Sequence, residues 1–210
     1  MLEFISKAFL TFLTLFPILN PPAMSPIFNE LTYELGQKRQ NRVAYMVAKY
    51  SFYLLTSSLI IGSWILGIFG ISVPVIKIAG GILLFNTAWK MLNDQPKISE
   101  EERRECMRID EKTAFYPMTL PLTAGPGSIS ITISLSPIKP AFDIRTLNEI
   151  ASIIAGIFLA SASIYIFYRY SSAIIKKLDY SKQQIISKLS AFILFAIAIE
   201  ITLDGLKLVF

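Results

Sequence analysis

Histidine is absent from the 210 residues, and cysteine occurs once, at Cys106. Without imidazole the chain lacks the commonest metal ligand and the side chain that relays protons near neutral pH. A lone thiol excludes an internal disulfide. No phosphate-binding loop or nucleotide domain is evident, which argues against direct use of ATP. Serines and one carboxylate lie in apolar segments, but no serine is matched with an evident base, which disfavours an intramembrane hydrolase. The reading is therefore a non-enzyme without cofactor or metal. Charge is also scarce where it would matter to a soluble protein. No charged residue lies between Lys7 and Glu30, and none falls from Ala114 to Ile138.

What remains is apolar. Hydrophobic residues make up 53% of the chain and the mean hydropathy is +0.55, too apolar for a soluble core of this size. Windows long enough to cross a bilayer fall near Phe4 to Phe28, Val43 to Phe69, Val75 to Leu92, Ala114 to Ser136, Ile150 to Tyr168 and Leu189 to Leu208. The first could pass for a secretory signal. Its small-residue processing point, Ala23-Met24-Ser25, is followed by Pro26, so the segment is expected to be retained.

The net charge of +5 is explained by topology rather than by nucleic acid. Lys38, Arg39 and Arg42 follow the first window; Lys97, Arg103, Arg104, Arg108 and Lys112 follow the third; Arg169, Lys176, Lys177, Lys182 and Lys188 follow the fifth. The other side has Lys139 and Arg145, with Lys7 and Lys207 near the termini. Basic loops stay in the cytoplasm, so both termini are expected outside a multi-pass protein of the cytoplasmic (inner) membrane. The connector over residues 94–113 opens with Asp94-Gln95-Pro96. Ser99 and Glu102 then have capping-box spacing, which predicts a short, solvated surface helix.

Two proline breaks interrupt these windows, Asn20-Pro21-Pro22-Ala23 and Ala124-Gly125-Pro126-Gly127. They occupy corresponding places in the two halves, 105 residues apart. A second correspondence sets Gly80-Gly81-Ile82-Leu83-Leu84-Phe85 on Ser190-Ala191-Phe192-Ile193-Leu194-Phe195, 110 residues apart, with Ala88 on Ala198 and Lys90 on Glu200. The expected fold is an all-α membrane protein of six transmembrane helices in two inverted three-helix repeats, residues 1–93 and 114–210. The first helix of each repeat is broken.

Proline ends one helix and suits the first position of the next, so each break is read as a new helix N-terminus at membrane depth. Asn20 is read as the N-cap of one, and Gly125 as a position of unusual backbone freedom. Such ends present amide donors and the positive end of the helix dipole, which suit a carboxylate. Gly127 and Ser128 offer amides and a hydroxyl for the carboxylate, while the carbonyl of Asn20 suits an ammonium. Pro21, Ala23, Ser25, Thr123 and Pro126 complete the candidate substrate-binding set, and Thr119, Ser130 and Thr132 add hydroxyls nearby. The partner implied is a small zwitterionic solute, with H+ or Na+ as coupling ion. Asn86 and Glu200, polar residues within spans, are candidates for coupling or for structural roles. Gly80, Gly81, Gly156 and Ala160 are read as close-packing positions, Lys207 as the partner of Asp204, and Trp64, Trp89, Tyr168 and Tyr170 as interfacial anchors.

The stretch Leu15 to Phe28, Leu-Phe-Pro-Ile-Leu-Asn-Pro-Pro-Ala-Met-Ser-Pro-Ile-Phe, resembles the first signature of the MarC family of bacterial and archaeal membrane proteins. Phe115 to Ser128 is similar to its second signature, and Gly80 to Leu84 to its third-span pattern. The resemblance covers essentially the whole chain. It implies a six-span protein, with transport of small neutral amino acids such as glycine and alanine described for some similar proteins. By motif position it implicates Asn20, Pro21, Gly125, Pro126 and Gly127. The sequence departs from the pattern at Pro22 and at Glu200, where similar proteins carry glutamine. The functional reading is a secondary transporter of small neutral amino acids working by alternating access. The alternative is a membrane-embedded accessory or regulatory protein without transport of its own.

Overall fold

The computed structural model describes residues 1–93, 114–136 and 144–209. The connector over residues 94–113, with its expected surface helix, and Lys139 lie outside the described residues. Apart from turns, the described chain is helical: α1 (Leu2–Leu19), α2 (Pro21–Thr32), a tight turn at Tyr33–Leu35, α3 (Gln37–Ile68), α4 (Val73–Asn93), an irregular coil at Ala114–Thr123, α5 (Pro126–Ser134), α6 (Ile144–Arg169), α7 (Ser171–Lys177) and α8 (Tyr180–Lys207). Among the described residues there is no strand.

Among the described residues, five helices are long and apolar enough to cross a membrane: Leu2–Leu19, Gln37–Ile68, Val73–Asn93, Thr146–Arg169 and Ser181–Lys207. The sequence windows numbered six. The remaining one, Ala114 to Ser136, is divided by its prolines into a ten-residue irregular piece and a nine-residue helix, neither of which reaches that length. Hydroxyls inside the apolar helices bond back to their own carbonyls, as Thr11 does to Lys7, Ser58 to Leu54 and Thr87 to Leu83. In a hydrocarbon setting that is the local way to satisfy such a group.

Small residues set the helix packing. A Cβ at Gly81 would lie 2.2 Å from Thr202 Oγ1 and 3.0 Å from Ala198 O, and one at Gly205 would lie 3.0 Å from Pro74 O. With Lys188 Nζ bonded to Leu92 O at 3.1 Å, these contacts make α4 and α8 an antiparallel pair. Phe85 and Phe195 meet across it with ring centroids 4.6 Å apart and planes tilted by 37°. The α3 and α6 helices are also antiparallel, since Tyr45 meets Tyr165 and Phe52 meets Phe158. By contrast α1 runs parallel to α6: Lys7 pairs with Glu149 at 3.0 Å, Gly156 faces Thr11 and Ala8, and Phe16 approaches Phe167. The α5 helix lies antiparallel to α4, with Gly127 against Leu84 and Gly80 against Ser130. Gly80, Gly81 and Gly156 thus serve as close-packing positions, as the sequence suggested, and Ala160 is fully buried.

Candidate functional site

The first break forms because Pro21 and Pro22 cannot continue the hydrogen-bonding of α1. They leave the carbonyls of Pro17 and Ile18 without the donors that a helix would supply four residues on. Asn20 turns the chain in the left-handed region (φ 46°, ψ 50°). Its N–H bonds Phe16 O at 2.9 Å and its C=O accepts from Met24 N at 3.1 Å. Asn20 is therefore both the left-handed C-cap of α1 and, as expected, the N-cap residue of α2, with proline in its first turn; its side chain, however, makes no cap bond. Freed from that duty, the buried carboxamide Nδ2 has no hydrogen-bond partner among the described residues.

At the second break the irregular coil reaches Thr123, Ala124 N bonds Thr119 O at 2.8 Å, and Ile129 N bonds Gly125 O at 3.2 Å. Gly125 has φ −79° and ψ 178°, extended backbone open to any residue, so the expected need for glycine's freedom is not met there. Glycine matters instead at Gly127, where a Cβ would come within 2.6 Å of Leu84 Cδ2. A substitution such as Gly127→Val therefore perturbs the α4–α5 contact before it tests any ligand. No side chain caps α5, so the amides of Gly127 and Ser128 are left without intrahelical acceptors.

Both breaks border α4, the second at Leu84 and the first further along, where Ala23 clusters with Met91. Ile18, two residues before Asn20, shares an apolar cluster with Leu84 and Ala88 of α4, Ile131 of α5, and Leu194 and Ala198 of α8. Leu84 is also the residue facing Gly127, and Leu19 and Ala124 belong to the other large core cluster. Asn20, Pro21, Ala23, Ser25, Thr123, Gly127 and Ser128 are buried, Gly125 is half-buried and Pro126 is exposed.

The hydroxyls expected to line a pocket are largely committed to backbone. Ser25 bonds Pro22 O at 3.1 Å, Ser128 bonds Gly125 O at 2.8 Å, Thr119 bonds Ala114 O at 2.7 Å, and Ser130 and Thr132 bond carbonyls of α5. Thr123 Oγ1 donates to Met118 O at 2.7 Å and lies 2.8 Å from the Tyr168 hydroxyl. A cavity of about 740 Å³ opens at the N-terminal ends of α1 and α6, beside Glu3, Lys7 and Glu149. Another of about 540 Å³ lies between α3 and Phe115. Neither is lined by a break residue.

Asn86 and Glu200 do not join this site. Both are exposed and stand on the faces of α4 and α8 turned away from the buried residues Leu84, Ala88, Leu194 and Ala198. Asn86 makes no interhelical hydrogen bond among the described residues. Asp204 does pair with Lys207, at 3.2 Å. Trp64, Trp89 and Tyr170 are exposed, as anchors should be, but Tyr168 is 1% exposed and belongs to the core.

The chain belongs to the MarC family. The pattern of the MarC family integral membrane proteins matches residues 5–210. The chain is 33% identical to a membrane protein of Archaeoglobus fulgidus over 97% of this chain and 93% of that one. It is 30% identical to one of Aquifex aeolicus over 93% and 90% of the two chains, and 29% identical to the inner membrane protein MarC of Salmonella paratyphi A over 98% and 96%. No solved structure matches the chain. It is therefore an integral membrane protein with several apolar helices.

Sequence reasoning missed one polar cluster in this MarC-family protein. Gln40 Nε2 donates to Asn29 Oδ1 at 3.0 Å and Thr32 Oγ1 at 3.1 Å, and lies 3.4 Å from Ser171 Oγ. Ser172 Oγ shares its one hydroxyl hydrogen between Asn29 Oδ1 at 2.6 Å and Gln40 Oε1 at 3.0 Å. The cluster ties α2 and α3 to α7. Its sequence signal was the pair Asn29 and Thr32 at one-turn spacing immediately after Phe28.

Proposed function

We propose that this MarC-family protein is a secondary transporter of small neutral amino acids, binding its solute between the two breaks. The observation that carries the reading is a buried Asn20 Nδ2 that no group among the described residues satisfies, at a break whose neighbour Ile18 shares an apolar cluster with Leu84, the residue facing Gly127 of the other break. A buried donor left unpaired costs about 1–3 kcal/mol, and a ligand acceptor removes that cost. Asn20 Nδ2 and the amides of Gly127 and Ser128 form the carboxylate side of the site. The carbonyls of Pro17 and Ile18, deprived of donors by Pro21 and Pro22, form the ammonium side. This exchanges part of the sequence-based assignment, since Asn20 now donates to the carboxylate. The close approach of Gly127 to Leu84 favours a solute of the size of glycine or alanine.

Support for an inverted repeat comes from the contact of Phe85 with Phe195. They are the equivalent residues of the sequence correspondence, and they meet across the antiparallel α4–α8 pair. A twofold axis in the membrane plane would pass between them, and the same axis accounts for the antiparallel α3–α6 pair. In this reading the irregular coil and α5 together make the sixth crossing, the basic loops are cytoplasmic and both termini face out. Rocking of the halves about that axis exposes the breaks to each side in turn, coupled to H+ or Na+.

The test is uptake of labelled glycine and alanine by liposomes holding the purified protein. Uptake above empty vesicles under a proton or sodium gradient is expected, with a marked loss in Asn20→Ala. Uptake equal to empty vesicles under both gradients would overturn the reading.

A further inference from the structure

We propose that Tyr168 is the positioning residue of the solute site, a role that rests on the transport reading above. The side chain is fully buried near the end of α6, stacked on Phe28 with centroids 4.3 Å apart and planes 16° from parallel. Its hydroxyl meets Thr123 Oγ1 at 2.8 Å. Thr123 has one hydroxyl hydrogen and gives it to Met118 O, so the phenol of Tyr168 must be the donor in the pair. Direction as well as distance is thereby fixed.

Phe28 belongs to α2, the helix that begins at the first break, and Thr123 stands two residues before Gly125 in the second. A single side chain thus holds the piece leaving one break against the piece entering the other. Next to Phe28 and one turn beyond it, Asn29 and Thr32 join Gln40, and Asn29 also receives Ser172 of α7, so α2 is fastened close to where Tyr168 holds it. The Tyr168 hydroxyl is already committed to Thr123 and does not reach the solute groups. It acts through Thr123, setting where the amides of Gly127 and Ser128 lie relative to the carboxamide of Asn20. A zwitterion held between those groups requires that spacing to be kept within a fraction of an ångström.

The experiment measures glycine and alanine uptake into proteoliposomes across solute concentration for wild type, Tyr168→Phe, Thr123→Val, Thr123→Ser and the double variant Tyr168→Phe/Thr123→Val. Phenylalanine keeps the ring on Phe28 and removes only the donor. The expected result is a rise in half-saturation of roughly tenfold, the factor one lost hydrogen bond supports, with the maximal rate per folded protein nearly unchanged. Thr123→Ser should keep the wild-type value, and the double variant should be no worse than Thr123→Val alone, because both changes remove one interaction. Unchanged half-saturation in Tyr168→Phe, or a fall in maximal rate alone, would overturn the positioning role while leaving transport intact. Absence of wild-type uptake would instead overturn the transport reading and this role with it.

Discussion

Replacing Gln40 with leucine removes the centre of the polar cluster that joins α2 and α3 to α7. Leucine has a similar volume and keeps the helix, so the change isolates the carboxamide. Three bonds of ordinary length are lost, those to Asn29 and Thr32 and the one from Ser172; the 3.4 Å approach to Ser171 adds little. Side-chain hydrogen bonds inside membrane proteins average about 0.6 kcal/mol by double-mutant cycles, so three of them give about 2 kcal/mol. Two remaining contacts limit the damage: Ser172 still bonds Asn29, and Thr32 still bonds Phe28 O. Reversible unfolding in mixed micelles, followed through the exposed tryptophans Trp64 and Trp89, reads the loss directly. Gln37→Leu is the control, because Gln37 is exposed and bonds only its neighbour Asn41. A loss for Gln40→Leu no larger than that of Gln37→Leu would refute the claim that this cluster fastens the two halves.

Two further outcomes follow from the packing and the surface. Gly81→Val places a side chain against the backbone of Ala198 and Thr202, which cannot swing aside. The α4–α8 pair must part, and the protein should lose about 2–3 kcal/mol of stability, measured by the same unfolding titration. Lys7→Ala breaks the pair with Glu149, whose side chains are both 43% exposed. An exposed pair contributes less than about 1 kcal/mol, so its unfolding midpoint should stay near wild type, and a large shift would mean that α1 and α6 depend on that contact.

The prolines made much of this fold legible. A chain that places Pro21 and Pro22 or Pro126 within apolar windows has to break there, and the backbone does so at both places. Glycine spacing in the third window likewise announced a close helix pair. The sequence could not reveal which atoms the breaks leave unsatisfied. Asn20 takes the N-cap position of α2, yet in the αL turn at the end of α1 its carboxamide makes no cap bond, an outcome decided by how α1 and α2 meet. Hydroxyl count was a poor guide to free donors for a related reason: Ser25, Ser128 and Thr132 give their hydrogens to carbonyls within their own segments. Tyr168 sits where an aromatic belt would place it by position along the window. Its burial follows from the neighbouring Phe28 and Thr123, which lie 140 and 45 residues away in sequence. Glu200 and Asn86 attract attention as polar residues at depth, but depth along a helix says nothing of azimuth, and both face away from the core.

Equilibrium binding of labelled glycine and alanine to the purified protein tests the central claim most directly, with Asn20→Ala and Gln37→Ala measured beside wild type. Saturable binding by wild type and Gln37→Ala, weakened at least about tenfold in a folded Asn20→Ala protein, is the result the two-break site predicts. Equal binding by wild type and Asn20→Ala, or none by wild type, would contradict it.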